Sequence, residues 1–171
     1  MLLRRLIAYC IDWYILYFLM NVILVVGYYV IEGKIITNLV PIQIFDGYIQ
    51  AFLLIILCIL FLAYSCVLPL FWNGQTLGKR IGKIAIYSDK KITLTKLFIR
   101  NFVGFVLLEG CFSPLSNYIR NILMELVGRE ITQYLVYLSV AIGVVSIGCM
   151  FLTPKKTMLH DLLANTRISK I

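Results

Sequence analysis

Ionisable residues inside apolar stretches are the first candidates for chemistry in this chain. Asp12 lies within the first apolar segment. Inserting a charged carboxylate at the centre of a membrane helix costs about 2.5–3.5 kcal/mol of free energy. A residue at that cost favours a functional partner or an ion path, since an intramembrane carboxylate can alternate between binding a proton and a cation. The structural alternative is a polar clamp between helices, and the sequence leaves both open.

Arg100 is the predicted partner of Asp12, with Asn101 beside it, and Lys79, Arg80 or water are next in line. Arg100 begins another apolar segment at a depth similar to that of Asp12, and each residue would otherwise stand charged in lipid. Arg5 shares a helix face with Asp12 but lies about 10 Å from it along the helix axis. We therefore expect the Arg5 guanidinium to extend towards lipid headgroups instead of pairing directly with Asp12.

His160 and Asp161 form a second group of candidates after the last apolar segment. They are predicted either to cap a short helix or to pair with Lys79 or Arg80. The chain has one histidine, and its five cysteines form no C-x-x-C pair, so neither a metal site nor a disulfide framework is indicated. No nucleophile–base pair appears either, and the sequence predicts no enzymatic activity, no metal and no cofactor.

A basic loop carries glycines at every fourth position in the stretch WNGQTLGKRIGK. It is not a phosphate-binding P-loop, because only three residues separate Gly74 from Gly78 and an arginine follows the lysine. We expect a cytoplasmic loop whose basic and aromatic groups contact anionic lipid headgroups. The residues singled out for this loop are Trp72, Gly74, Gln75, Gly78, Lys79, Arg80 and Lys83.

The composition identifies the environment of these residues. The chain is 61% hydrophobic and only 14% charged, which leaves too much apolar surface for a soluble fold of 171 residues. The surplus is expected to face lipid. The net charge of +8 could indicate nucleic acid in a soluble protein, but here the basic residues lie between apolar runs. That placement favours membrane topology and excludes nucleic acid as the expected partner.

Four apolar segments are long enough to consider as spans. They cover about 6–31, 49–71, 97–112 and 131–152, and the segment 97–112 is the weakest of them. Basic residues concentrate before the first span, in the loop 73–96 and in the tail. Placing all three on the cytoplasmic side requires an even number of crossings. We therefore predict that 97–112 crosses as a short or tilted span, with a re-entrant or interfacial piece as the alternative.

Two further local structures are predicted between the spans. Ser113 before Pro114 begins an amphipathic helix, which lies either at the outer interface or against the spans themselves. A short β-hairpin or extended ribbon is predicted around residues 88–91, with its strands in the flanking segments, and helix starts there are the alternative. Glu109 is placed towards the outside and receives no role.

Three short stretches resemble the RDD family of membrane proteins. They are RLIAYCID from Arg5, WNGQTLGKRIGKIAI from Trp72 and HDLLANTRI from His160. The family is named for an arginine and two aspartates, which the resemblance assigns to Arg5, Asp12 and Asp161. It implies one RDD-like transmembrane domain over 1–171 in a mostly bacterial family whose suggested role is transport.

The sequence thus predicts an all-α, polytopic membrane protein. The expected architecture is a four-helix transmembrane bundle with a basic cytoplasmic loop, an outer amphipathic helix and both termini on the cytoplasmic side of the cell membrane. The leading function is that of a small transporter or ion exchanger, such as a cation/proton exchanger, that uses Asp12. Four short helices are few for a monomeric pathway, so this function requires an oligomer. The alternative is an accessory or scaffold subunit of a larger membrane complex.

Overall fold

The computed structural model describes residues 2–35, 38–88, 91–110, 113–153 and 157–170. Within them, three helices are long and apolar enough to cross a membrane. They are α1 (Leu2–Glu32), α2 (Gly47–Phe71) and α6 (Arg129–Leu152), and they coincide with three of the predicted spans. A short 3-10 turn, Ile42–Ile44, precedes α2.

The remaining predicted span, 97–112, is not a helix of spanning length. Helix α4 (Leu94–Phe98) continues into a π-helical stretch, Ile99–Leu108, and a separate helix, α5 (Pro114–Val127), follows. Residues 111–112 of the predicted span lie outside the described residues. Pro114 provides a reason for the new start, because proline is favoured in the first helical turn, where its missing N–H costs nothing.

Helix α2 is widened into a π-helical turn at Ala63–Val67 before it ends as Leu68–Phe71. Pro69 lacks the N–H group that would bind the carbonyl of Ser65 four residues earlier. The side chain of Asn101 donates to that carbonyl instead, with 2.6 Å between Nδ2 and the oxygen. A proline in one helix is thereby compensated by an amide from the neighbouring π-helical stretch, which explains why the two irregular segments lie together.

The core between the helices follows from a buried stripe at four-residue spacing on α1. Its members are Ala8, Asp12, Leu16, Met20 and Leu24. The stripe packs against α2 and α5, including the buried residues Leu57, Phe61, Leu115 and Tyr118. Large apolar side chains on the other faces of α1, α2 and α6 are exposed, as a surface in contact with lipid requires.

The basic loop between α2 and α4 contains a short helix and one strand of a two-stranded ribbon. Helix α3 (Leu77–Ile81) packs on α1, and strand β1 (Ile84–Tyr87) follows it. Near the C-terminus, helix α7 (Leu159–Leu163) precedes strand β2 (Arg167–Lys170). The two strands are antiparallel, with Ile84 opposite Lys170 and Tyr87 opposite Arg167.

The hairpin pairing predicted around residues 88–91 is therefore wrong, whereas the alternative of a helix start in the following segment is confirmed. β1 pairs with the C-terminal strand and not with the segment that follows it. That segment becomes helix α4, for which Thr93 serves as the N-cap by accepting from the backbone N–H of Lys96 at 3.4 Å. Residues 89 and 90 of the predicted turn lie outside the described residues.

Candidate functional site

The three stretches singled out in the sequence meet at one end of the helices, around the first turns of α1. Arg5 donates from Nη2 to the backbone carbonyl of Ile168 at 3.1 Å, which joins α1 to strand β2. The Trp72–Ile86 stretch contacts α1 through Asp12. Its strand β1 pairs with strand β2 of the C-terminal stretch. Residues far apart in the sequence therefore form one polar layer.

Asp12 has its four acceptor positions occupied. Oδ1 accepts from the hydroxyl of Tyr64 at 2.5 Å and from the backbone N–H of Gly78 at 2.8 Å. Oδ2 accepts from the hydroxyl of Thr76 at 2.5 Å and lies 3.5 Å from Nζ of Lys79. An ionised carboxylate offers about four lone-pair sites, so this one is saturated. The geometry favours the clamp alternative, in which Asp12 holds the basic loop onto α1.

Glycine at position 78 is required by the close approach of the loop to α1. A Cβ added there would overlap the carbonyl oxygen of Ala8 and would lie 2.9 Å from Cγ of Asp12. Thr76 begins helix α3 as its N-cap, with Oγ1 accepting from the backbone N–H of Lys79 at 3.4 Å. The same threonine thus starts the helix and donates to Asp12.

Gly74 and Gln75 connect this loop to strand β1. Gly74 has a φ of 81°, and its carbonyl accepts from the N–H of Ile86 at 2.9 Å. Glycine is needed at this position for two reasons. The φ is left-handed, and a Cβ added there would overlap the carbonyl oxygen of Ile86. Gln75 donates from Nε2 to the carbonyl of Ile84 at 3.1 Å. Both residues position the loop.

The predicted pairing of Asp12 with Arg100 is wrong. Arg100 donates from Nε and Nη2 to Oδ1 of Asp161, at 2.9 and 2.6 Å. The side chains of Arg100 and Asp161 are 3% and 0% exposed, so the ion pair is buried. Asp12 instead meets Lys79, because the loop and not the third apolar segment folds over its face of α1.

Asp161 also caps helix α7, as one of the two predicted alternatives stated. Its Oδ2 accepts from the backbone N–H of Met158 at 3.3 Å. The other alternative, a pair between Asp161 and Lys79 or Arg80, is replaced by the pair with Arg100. Burial by itself would raise the pKa of Asp161, but the charges of Arg100 and His160 outweigh it and hold that pKa below its ordinary value.

Glu109 and His160 form a buried pair that the sequence did not suggest. Oε2 of Glu109 lies 2.8 Å from Nδ1 of His160, and Oε1 accepts from Ser146 at 2.5 Å and from the backbone N–H of His160 at 3.2 Å. The placement of Glu109 towards the outside is therefore wrong. Gly104 permits the contact, since a Cβ there would lie 2.6 Å from Cβ of His160.

The three basic residues of the loop point in different directions. The Lys79 side chain is 17% exposed and faces Asp12, while Arg80 and Lys83 are exposed. Burial lowers the pKa of Lys79, and the Asp12 carboxylate offsets part of that effect. Arg80 lies over the ring of Trp72, with its guanidinium carbon 5.1 Å from the ring centroid. Arg80 and Lys83 are therefore placed at the outer surface of the loop, whereas Lys79 faces Asp12 and the cavity described below.

A cavity of about 400 Å³ lies beside this polar layer. Its walls come from α1 and α6, and its polar lining includes Asp12, Lys79, Arg100, Glu109 and His160. Within the described ranges, no group of three or more His, Cys, Asp or Glu residues is arranged to hold a metal ion. The arrangement brings ion pairs and one carboxylate–imidazole pair to the edge of a mostly apolar space.

The family comparison agrees with the convergence of the three stretches. The model of the RDD family matches residues 1–165, essentially the whole chain. No curated protein and no solved structure matches the chain. The family match and the three long apolar helices together identify a multi-pass membrane protein.

Proposed function

Since the chain belongs to the RDD family, we propose that it is a small transporter or ion exchanger whose proton-handling group is the Glu109–His160 pair. The observation that carries this proposal is the position of that pair, buried and on the lining of the cavity between α1 and α6. A carboxylate and an imidazole in contact can pass a proton between them, because each has an atom that can hold it. No catalytic activity is proposed.

The proposed topology has four crossings, of which the third is discontinuous. The stretch from α4 to Leu108 forms its inner half and α5 its outer half. Two contacts support this arrangement: Glu109 meets Ser146 near the C-terminal end of α6, and Glu125 of α5 accepts from Gln50 at the beginning of α2, at 3.0 Å. Since α2 begins at the end of the bundle opposite to Ser146, α4 and α5 together traverse the bundle.

This topology keeps both termini and the basic loop on the cytoplasmic side of the cell membrane. It replaces a single short span at 97–112 by two half-helices separated near Glu109. Interrupted helices place polar groups at membrane depth where they line a cavity. The exposed Arg80 and Lys83 are proposed to contact anionic lipid headgroups, each by about 1 kcal/mol.

Glu109 is a better proton site than Asp12 for a physical reason. The donors to Asp12 include the backbone of Gly78 and the cap residue Thr76, so release of its carboxylate requires the loop to leave α1. Oε1 of Glu109 is held by Ser146 and by the backbone N–H of His160, but Oε2 meets the imidazole of His160, and that bond can change with a side-chain movement alone. A monomer with one such cavity offers a single pathway at most, and the proposal therefore includes a homo-oligomer.

The test is proton flux in liposomes that contain purified protein and a pH-sensitive dye in the lumen. Imposed gradients of Na⁺, K⁺ or Li⁺ are expected to drive proton movement that Glu109→Gln abolishes. Glu130→Gln is the matched control, since Glu130 is an exposed glutamate in the first turn of α6. Equal flux in the wild type and Glu109→Gln would refute the proposed role of the pair.

The accessory-subunit alternative is supported by Asp12, whose carboxylate has all four acceptor positions occupied and so acts as a structural clamp. Under this alternative the liposomes are silent for every cation, and a larger membrane protein copurifies with the chain in stoichiometric amount. The same flux experiment therefore separates the two functions.

A further inference from the structure

The cavity beside the polar layer has apolar walls that face the lipid. On α1 the wall follows one helix face, formed by Leu2, Leu6, Tyr9, Trp13 and Leu16. On α6 it is formed by Gly143, Ile147, Met150 and Phe151. Leu6 is 54% exposed and Phe151 68% exposed, so the space between the two helices continues to the outer surface of the bundle. A chain of methylene groups would find apolar contacts along both walls.

The floor of the same space has a surplus of hydrogen-bond donors. The Asp12 carboxylate is saturated, and Asp161 and Glu109 each accept three hydrogen bonds. Lys79 has three N–H donors and Arg100 has five. Among contacts of the described residues, Lys79 makes two through Nζ and Arg100 uses two of its N–H groups on Asp161. The Asp12 carboxylate is thus filled and the other two carboxylates have most of their acceptor sites occupied, while N–H donors of Lys79 and Arg100 remain, an environment that favours an anion.

We propose that the cleft between α1 and α6 binds one anionic phospholipid from the surrounding leaflet. Its headgroup phosphate lies at Lys79 and Arg100, and an acyl chain lies between Trp13 of α1 and Ile147 of α6. Lysine and arginine are the usual phosphate-binding side chains, through charge and through N–H donors. The cavity volume of about 400 Å³ lies in the range of pockets for small ligands, and the open side admits the rest of the lipid. This site is independent of whether the protein transports an ion.

Charge complementarity distinguishes this occupant from a neutral lipid. Three cations, Arg5, Lys79 and Arg100, line the space together with two carboxylates, Asp12 and Glu109. Asp161 balances Arg100 from outside the lining, and a protonated His160 would add one more positive charge. A negatively charged headgroup therefore enters a region with no surplus of negative charge.

The experiment is native mass spectrometry of the purified protein in detergent with phosphatidylglycerol and phosphatidylcholine at equal concentration. Inorganic phosphate is added in a separate arm as a headgroup without chains. We expect one retained phosphatidylglycerol, at least tenfold preferred over phosphatidylcholine, and no displacement by phosphate at the same concentration. Ile147→Trp, which fills the apolar wall, should remove the retained lipid. Val144→Trp is the matched control, because Val144 is 63% exposed on α6 and does not line the cavity.

A second variant tests the headgroup contact. Lys79→Gln should reduce retention of phosphatidylglycerol about fivefold, which corresponds to one basic residue near a headgroup. It should reduce the weak retention of phosphatidylcholine less, because the choline cation of that lipid offsets the charge of its phosphate. Equal retention of the two lipids, equal loss in Ile147→Trp and Val144→Trp, or displacement by inorganic phosphate alone would each overturn the proposal. A dimer that Ile147→Trp alone dissociates, with no lipid retained in the wild type, would assign the cleft to a second copy of the chain and would overturn it as well.

Discussion

The buried ion pair between Arg100 and Asp161 gives the sharpest test of the structure. The guanidinium contributes two N–H groups to one carboxylate oxygen, and both side chains are almost completely buried. Removing one partner of such a pair costs about 3–5 kcal/mol, because the other partner is left as an uncompensated charge. Arg100→Gln and Asp161→Asn should each lower the free energy of unfolding by this amount.

The double variant distinguishes an ion pair from two independent losses. With both charges removed, no uncompensated charge remains, so the double variant should lose no more than the worse single variant. The coupling free energy is then about 3 kcal/mol, at the upper end of the range for residues in contact. The assay is equilibrium unfolding in dodecylmaltoside micelles with increasing mole fraction of sodium dodecyl sulfate.

The control pair is Arg100→Gln with Glu130→Gln. Glu130 lies in the first turn of α6, far along the helix from the residues that meet His160, and the two changes should add within about 0.5 kcal/mol. Additivity of Arg100→Gln and Asp161→Asn would refute the pairing. It would return Asp161 to the role of a simple helix cap, which typically contributes about 1 kcal/mol.

The pH dependence of stability provides an independent check on Asp161. Its folded-state pKa lies below the ordinary value of 3.8, so the unfolded chain binds a proton more readily than the folded one. The stability that this carboxylate contributes is therefore fully present above pH 3.8 and is lost as the pH falls below it. Asp161→Asn should flatten the acid limb of a plot of unfolding free energy against pH; an unchanged slope would contradict the assignment.

Three further predictions concern the loop and the topology. Gly78→Ala should lower the free energy of unfolding by about 1–3 kcal/mol through overpacking against α1, whereas Gly148→Ala, where an added Cβ meets nothing within 4 Å, should be neutral or slightly stabilising in the same unfolding assay. Because the pKa of Lys79 is lowered by burial, stability should rise with pH in the alkaline range below 10.5, and Lys79→Gln should remove that slope. In a cysteine-free background, cysteines placed at Lys34 should react with an impermeant maleimide added outside the cell while those at Lys170 should not; labelling at both would leave an odd number of crossings.

The sequence was sufficient for the features that depend on composition and on spacing along one element. Long apolar runs predicted the three spanning helices, and the stretches beginning at Arg5, Trp72 and His160 indicated the family. The capping of α7 by Asp161 could also be predicted from the sequence, because an acidic residue in the first turn of a helix is a local signal.

Partner assignments failed where they depended on how separate elements turn towards each other. Asp12 and Arg100 have a similar depth along their own helices, but depth does not determine which face each one presents. The tight turn that brings Gly78 against α1 requires knowledge of the packing of the loop, and so the sequence could not select Lys79 over Arg100 for Asp12. Tyr64 was missed for the same reason, since a tyrosine in an apolar run is usually core or an interface residue.

The misplacement of Glu109 has a different cause. The prediction that 97–112 crosses as a short or tilted span, and not as the re-entrant or interfacial alternative, puts its end at the outer surface. The signals against that reading were present, because Gly110 follows Glu109 and Ser113–Pro114 begins a new helix. An interruption at that point allows Glu109 to meet Ser146, near the C-terminal end of α6, instead of lying at the opposite end of the bundle.

One structural property is shared by Arg5, Asp12 and Asp161, the residues that the resemblance assigns to the arginine and two aspartates of the family name. Arg5 binds a carbonyl of the C-terminal strand, Asp12 binds the turn at Gly78, and Asp161 binds Arg100 while capping α7. Each therefore attaches a segment outside the long helices to a buried charged or backbone partner, and each has donors or acceptors that are fixed by the backbone. A group held in this way cannot exchange its partner without local unfolding, which makes it suited to building a cavity and poorly suited to moving an ion. For the transport proposed above, binding and release are then expected of a bond between two side chains that can change alone. The bond between Oε2 of Glu109 and the imidazole of His160 is of this kind and lies on the cavity lining, while Oε1 of Glu109 stays on Ser146 and the backbone N–H of His160.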